Sequence, residues 1–493
     1  MTKKSKVAPK GFKIPGRRSA KRMAGAAPQD NDPFRHIVLL MLENRSFDHM
    51  LGALQSAIPD IDGVPAGTPR SNLDTSGKPV RQLPVAADVV DPDPKHETPN
   101  VIYQIDGDNA HFVQDFDEAY HDATAEQIQA VMAYHPLDSL PTLHRLARNF
   151  AVCDHWFSSV PGPTWTNRLF AMSGTSLGRV KMPEGIFHPN LHNYNQPSIF
   201  RRLKEAGRSF RIYYGDFPLA LLLTDCRRPA TALRTVPFAS FLQDAAGAEA
   251  SFPDFAFIEP RYLSPGDDDH PPHPVSAGER LVAEVYDALR ANKALWESTL
   301  LVVTFDEHGG FYDHAPPPAA TPPDGHVDEY TFDRLGVRVP ALLISPWIEQ
   351  QVIHAKCDHT SLLRSLQRKW GLGDMGKRVA AADDILQRIR VAEKAQADVT
   401  KPRAARAVKP AVAKARKRAR GRQAMTATDH ANDNQSAIVA FSAYLETRTQ
   451  RPAEQKVRAA ARSMKSPGDA LAVAEERARR YLAQLRNGRR KRG

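Results

Sequence analysis

Apolar runs along this chain are short, and they alternate with amphipathic stretches. "HIVLLML" (36–42), "DFAFIEP" (254–260), "TLLVVTF" (299–305) and "VPALLISPW" (339–347) have the length and aliphatic content of strands. Between them, "PTLHRLARNFAVC" (141–153) and "GERLVAEVYDALRANKALWE" (278–297) place apolar residues at helical spacing. Strands that are apolar from end to end must be covered on both faces. The pattern therefore predicts an α/β fold with a parallel or mostly parallel sheet flanked by helices. The Pro- and Asp-rich stretches 57–98 and 313–330 predict long loops, of the kind that builds active sites over such a scaffold.

Two of the strands end oddly. Leu42 runs straight into Glu43 and Asn44, and Phe305 into Asp306 and Glu307, with no turn residue between. In an open parallel sheet ligands collect at the carboxyl ends of strands. An acid there also caps a following helix, but two pairs with one grammar suit a shared site better. Three carboxylates and an amide oxygen converging at one place need a compensating cation, and oxygen ligands suit a divalent ion such as Ca, Mg or Mn.

In "VPGPTWTNRLFAMSG", Pro161, Gly162 and Pro163 force a tight turn before Thr164, and a helix follows. A hydroxyl at a helix start lies where N–H groups favour an anion, so Thr164 is either a nucleophile or an N-cap. Asn167 and Arg168, within the next turn, are candidates to hold phosphoryl oxygens. His96, His270, His308, His314 and His359 all sit beside loop signals and acids, and Gly309 and Gly310 would let backbone approach a ligand. Glu259, at the end of another strand, is a candidate to orient His270 or Arg261.

Charge alters the picture of the termini. The net charge is +11, yet residues 1–22 carry nine Lys or Arg and residues 401–422 carry ten, with no acid in either. Those segments hold +19, which leaves the rest at −8. The expected organisation is a disordered basic arm (1–32), a catalytic domain (33–375), a basic low-complexity linker (376–425) and a helical basic tail (426–493). In the tail, "NQSAIVAFSAYLETRTQ" and "GDALAVAEERARRYLAQLRNG" read as helices, with Gly488 as the stop of the second. Three scattered cysteines, no membrane-length apolar run and no apolar core to the basic N-terminus give the expectation of a cytoplasmic protein, or one exported by a non-classical route.

Five blocks, "LMLENRSFDHMLG", "GPTWTNRLF", "SFPDFAFIEPRY", "DDDHPPHPVSAGE" and "VTFDEHGGFYDHAPPP", come in an order and spacing that resemble a bacterial phosphoesterase family over about residues 34–370. That family holds the non-haemolytic phospholipases C and an acid phosphatase, and the resemblance implies an alkaline phosphatase/sulfatase-type fold, a large doubly wound α/β domain with a mostly parallel sheet. By the same resemblance Glu43, Asn44, Asp306 and Glu307 would ligate one divalent metal together with Thr164. Thr164 would also be the nucleophile, and a phosphothreonine would be the intermediate. His96 and His270 would contact the phosphoryl group alongside Asn44, and one of them would protonate the leaving alcohol. The chain departs from the pattern in its "WTNR" block, where Trp165 and Thr166 would reshape the substrate rim. It also has a basic, helix-leaning tail where secreted relatives often carry β-rich domains.

Three functions follow as expectations. The first is a metal-dependent, phospholipase C-like phosphoesterase. The second is an acid phosphatase on monoesters without lipid preference. The third, from another class, is a protein whose basic tails bind an anionic membrane surface or nucleic acid, the α/β domain being inactive. Aromatic residues are not interleaved with the tail cations, so base-specific reading is not expected. Oligomeric state is left open by the sequence.

Overall fold

A computed structural model describes residues 32–65, 67–183, 194–396, 431–449 and 467–490. The expected N-terminal arm and most of the basic linker lie outside these residues. The core is a mixed eight-stranded sheet. Its strands are β1 (His36–Leu42), β4 (Ala151–Cys153), β5 (Phe210–Tyr214), β6 (Thr235–Pro237), β7 (Phe255–Glu259), β8 (Thr299–Phe305), β9 (Ala341–Ile344) and β10 (Gln351–Ile353). Across the sheet they follow the order β10-β4-β9-β8-β1-β7-β5-β6. A separate antiparallel pair, β2 (Ser71–Leu73) and β3 (Pro79–Arg81), lies in the first long loop.

All seven residues of β1 and of β8 are buried, which is why both read as unbroken apolar runs. Each buried Leu, Ile or Val contributes about 1.5–3 kcal/mol, so the central strands are the rigid floor of the molecule. β1 runs parallel to both neighbours, β7 and β8. β9 is the exception, antiparallel to β8 and β4. Strand direction is not written in an apolar run, so the sequence pattern located β9 without its orientation.

Among the helices, α1 (Phe47–Leu51) follows β1 after a four-residue turn capped by Ser46. α2 (Thr164–Ser173) is buried along its whole length. α3 (Val275–Ala291) and α4 (His359–Trp370) follow in the catalytic region, and α5 (Asp433–Thr449) and α6 (Pro467–Arg490) form the C-terminal hairpin. The expected helix over 141–153 is only Leu143–Ala147, and its last three residues are β4. Gly488 does not stop α6, which continues to Arg490.

The expected boundary at residue 375 does not coincide with packing. Val379, Ile385 and Ile389 belong to the main core, and so do Ile438, Phe441, Leu445, Leu471 and Leu482 of the hairpin. Among the described residues, no helix is long and apolar enough to cross a membrane.

Candidate active site

The register of β1 and β8 builds the site. Leu42 pairs with Phe305, so Glu43–Asn44 and Asp306–Glu307 leave the sheet side by side. The Asp306 N–H donates to the Leu42 carbonyl at 3.1 Å, and the Asn44 N–H donates to Asp306 Oδ1 at 3.3 Å. The turn is tight enough to hold Asn44 at φ 59, a left-handed conformation that asparagine tolerates. Gly309 (φ +63) closes against it, and a Cβ there would lie 2.3 Å from the Asn44 carbonyl oxygen. The two glycines after the acidic pair thus admit protein backbone, Asn44 for Gly309 and Pro94–Lys95 for Gly310, where the sequence suggested a ligand.

Thr164 is the first residue of α2, and Pro163 takes the cap position, so its hydroxyl is not spent on capping. That hydroxyl is fully buried and donates to Asn44 Oδ1 at 3.2 Å. Asn44 Nδ2 in turn lies 3.3 Å from His96 Nε2. Asn44 therefore lies between the candidate nucleophile and the histidine half of the site, with its Nδ2 beside a His96 nitrogen whose hydrogen-bond partner is Asp433. Asn167 does not face the pocket; its side chain amide donates to the Gly162 carbonyl at 2.8 Å, and its oxygen accepts from the Val160 N–H, fixing the Pro-Gly-Pro turn.

Arg168 also lies elsewhere than the sequence suggested. Completely buried, it sits beneath the acids, with its Nε 3.2 Å from Glu43 Oε1 and 2.9 Å from Asp306 Oδ2. Its Nη2 donates to the carbonyls of Met41 and Leu42, and its guanidinium lies over the Tyr262 ring. Its Nε and Nη2 are thus taken by the acids and by the carbonyls that end β1. It anchors the two strand ends and supplies part of the cation that the acids require.

Electrostatics leave room for more positive charge. Burial pushes the Glu43 carboxyl well above the usual range and Asp306 up to about 7, against the pull of Arg168. Glu43 and Asp306 share the buried Arg168, and the charges of His270 and His96 act on Glu43 and Glu307 from the other side of the site. Glu307 Oε1 is buried and has no hydrogen-bond partner. The oxygens of Glu43, Asn44, Thr164, Asp306 and Glu307 are of the type a divalent cation takes, but among the described residues Glu43, Asp306 and Glu307 are not one of the groups whose ligand atoms come within 4.8 Å of one another.

Beside this acidic end, His96 and His270 stand edge to face, 5.3 Å between ring centres. Their Nδ1 atoms lie 2.8 and 2.9 Å from the carbonyls of Pro94 and Pro271, which sets both rings with Nε2 toward the site. Both Nε2 atoms meet one side chain that sequence reading missed. Asp433, at the start of α5, places one oxygen 3.0 Å from each. Burial opposes protonation of His270, but Asp93 and Asp433 outweigh it and raise the ring to about 10. His96 is held well above its ordinary value in the same way, by Asp433, Glu307 and Asp93. Asp93, His96, His270 and Asp433 offer ligand atoms within 4.8 Å of one another.

The next residue, Asn434, is equally engaged. Its amide donates to both oxygens of Glu43 at 3.0 Å and accepts from Trp165 Nε1 at 3.0 Å. Trp165 therefore contacts α5 and not a substrate rim. The only sequence signal for this pair is an Asn-Asp-Asn cap before an apolar helix, which describes any helix start.

The remaining candidates support the walls. His359 accepts from Trp156 Nε1 through Nδ1 and lies 2.6 Å through Nε2 from the Asp306 carbonyl, so it props the end of β8; burial lowers it to about 4. Glu259 accepts from the Ala220 N–H and touches neither His270 nor Arg261. His308 lies 2.8 Å from Gln104 Oε1. A cavity of about 550 Å³ opens beside His96, lined also by Asp91, Asp93, Lys95, Tyr120 and Asp433.

With this geometry in view, a family model described as "Phosphoesterase family" matches residues 34–373. Non-specific phospholipase C3 of Arabidopsis thaliana is 38% identical over 375 residues, covering 69% of this chain and 70% of its own. Phospholipase C B of Mycobacterium tuberculosis is 30% identical over 410 residues, covering 71% and 75%. Among solved structures, the lipoteichoic acid synthase LtaP from Listeria monocytogenes overlaps 74% of this chain and 80% of its own, at TM-score 0.38 and 11% identity.

Proposed function

The chain belongs to the phosphoesterase family and is a phosphoric ester hydrolase, and from that premise we propose a metal-dependent, phospholipase C-like reaction through a phosphothreonine at Thr164. The observation that carries the reading is the Thr164–Asn44–His96 chain of contacts at the paired ends of β1 and β8. It places a hydroxyl not engaged in capping between an acidic pocket and a pair of imidazoles.

Glu43, Asn44, Asp306, Glu307 and the Thr164 oxygen would hold one divalent cation, of Ca, Mg or Mn type. When bound, such an ion supplies Lewis acidity and lowers the pKa of a coordinated hydroxyl. The protein's own groups do the rest. Asn44 accepts from the Thr164 hydroxyl and fixes the direction of its oxygen. That oxygen, its proton released to solvent, attacks phosphorus in line; the ester P–O bond breaks, and the alcohol leaves with a proton from one of the two histidines. Water then cleaves the Thr164 phosphoester and returns a proton to that histidine; a diester substrate departs as the phosphomonoester and a monoester as phosphate. His96 and His270, held charged by neighbouring acids, would neutralise the phosphoryl oxygens.

Phospholipid is the substrate class suggested by the named relatives. A monoester phosphatase is the alternative, since every contact proposed here would fall on the phosphoryl group. The test compares p-nitrophenyl phosphorylcholine with p-nitrophenyl phosphate, using wild type and Thr164→Ala, with and without chelator. Diester hydrolysis should fall at least a thousandfold in the variant, on the order expected for loss of a nucleophile, and should vanish reversibly with chelation. Activity confined to the monoester would move the protein to the phosphatases. Chelator-resistant activity would remove the metal from the mechanism.

A further inference from the structure

Asp433 and Asn434 fill both halves of the site at once. The Asp433 carboxylate sits on the two Nε2 atoms, and the Asn434 amide N–H groups sit on both oxygens of Glu43. An anion thus lies on the proposed phosphoryl contacts, and donors lie on a proposed cation ligand.

The histidine rings do not need Asp433 for their orientation. Each is already fixed through Nδ1 to a backbone carbonyl, Pro94 for His96 and Pro271 for His270. Each ring then has a single remaining N–H, and Asp433 takes it. A phosphoryl oxygen approaching the same edge must displace that carboxylate. The side chain can move without unseating its helix. It is 29% exposed, toward the 550 Å³ cavity, while Asn434 is fully buried. Gln435 Nε2 donates to the Tyr262 carbonyl at 3.0 Å, and Ile438 and Phe441 lie in the core.

We propose that Asp433 is an internal anion seated in the phosphoryl position, so that the C-terminal helix restrains the enzyme until a phosphate ester displaces the carboxylate. The ligand class is a phosphate monoester, diester or inorganic phosphate, whose tetrahedral oxygens would replace the two carboxylate oxygens. The inference rests on the proposed function, because it takes His96 and His270 as phosphoryl contacts. It adds an autoinhibitory role for a segment outside the family match, which ends at residue 373.

Competition of this kind weakens apparent affinity by the fraction of time the seat is open, so a seat filled nine-tenths of the time costs about tenfold. The test measures inorganic phosphate binding by calorimetry, with the metal that supports hydrolysis present, in wild type, Asp433→Asn and Asp433→Ser. Both variants should bind phosphate about tenfold more tightly, with a lower KM for p-nitrophenyl phosphorylcholine. Phosphate binding no tighter than wild type, with kcat reduced, would make Asp433 a positioning residue and overturn the proposal.

A second readout needs no variant. Added phosphate should speed amide hydrogen exchange at residues 432–434 of the wild-type protein, and unchanged exchange there would also overturn it. Thr164→Ala separates this inference from its premise. If that variant loses hydrolysis but binds phosphate as wild type does, the catalytic reading stands whatever Asp433 shows. If no form binds phosphate, both fall.

Discussion

Arg168 shows how a side chain placed beside a candidate nucleophile in sequence can be turned by the fold to another task. Placed one turn after a candidate nucleophile, it suggested a phosphoryl clamp; the fold turns it inward to join Glu43, Asp306 and the carbonyls that end β1. Removing one partner of a buried ion network leaves the others uncompensated, which costs about 3–5 kcal/mol. Arg168→Ala should therefore lose that much in denaturant unfolding. Arg168→Lys should recover part of it, keeping the charge without the fork. A phosphoryl clamp would behave otherwise, with near wild-type stability in both variants and a raised KM. Sequence spacing put Arg168 at the site because α2 begins there, but inward or outward depends on a helix rotation that an all-buried helix does not encode in its pattern.

At the scale of elements, the loop after β8 is held down by a second buried charge cluster. His314 lies 2.8 Å from Asp48 and 2.9 Å from Asp62, and Arg338 reaches Asp48 and Asp313. Burial opposes charge on His314, but Asp48 and Asp62 prevail and raise it to about 9 from an ordinary 6.5. Because the folded value lies above the unfolded one, the contribution is complete below pH 6.5 and is lost as pH rises through about 9. Each tenfold gain in proton affinity on folding corresponds to about 1.4 kcal/mol. Thermal unfolding of the wild type should drop between pH 7 and 10, and His314→Gln should flatten that part of the profile. An equal decline in both proteins would remove the pair from the account. Of these elements, the sequence made the central strands and their odd endings legible, because buried parallel strands are apolar runs and a pair ending on acids interrupts them abruptly. It did not reveal β4, whose three residues continue a helical spacing, nor the reversal of β9, which depends on partners remote in the chain.

Taken whole, the molecule is an acidic folded body bracketed by concentrated positive charge, with its last described helices returned to the active site. That return was invisible in the sequence: α5 looked like part of a tail because a basic, low-complexity tract precedes it, and only three-dimensional packing shows Phe441 against Trp165 and Phe217. The arrangement places ten cations in residues 401–422, the last of them, Arg422, eleven positions before Asp433. Lys and Arg near an anionic bilayer contribute roughly 1 kcal/mol each, screened by salt. Replacing the ten by Gln should abolish most binding to phosphatidylserine vesicles at low salt. Hydrolysis of a soluble diester should be unaffected, because none of the ten belongs to the site as described. Vesicle sedimentation and p-nitrophenyl phosphorylcholine turnover, measured on the same preparations, separate the two effects. Retained vesicle binding would place membrane attachment on the folded body, and a parallel loss of nucleic-acid binding but not of vesicle binding would assign the tract to nucleic acid instead.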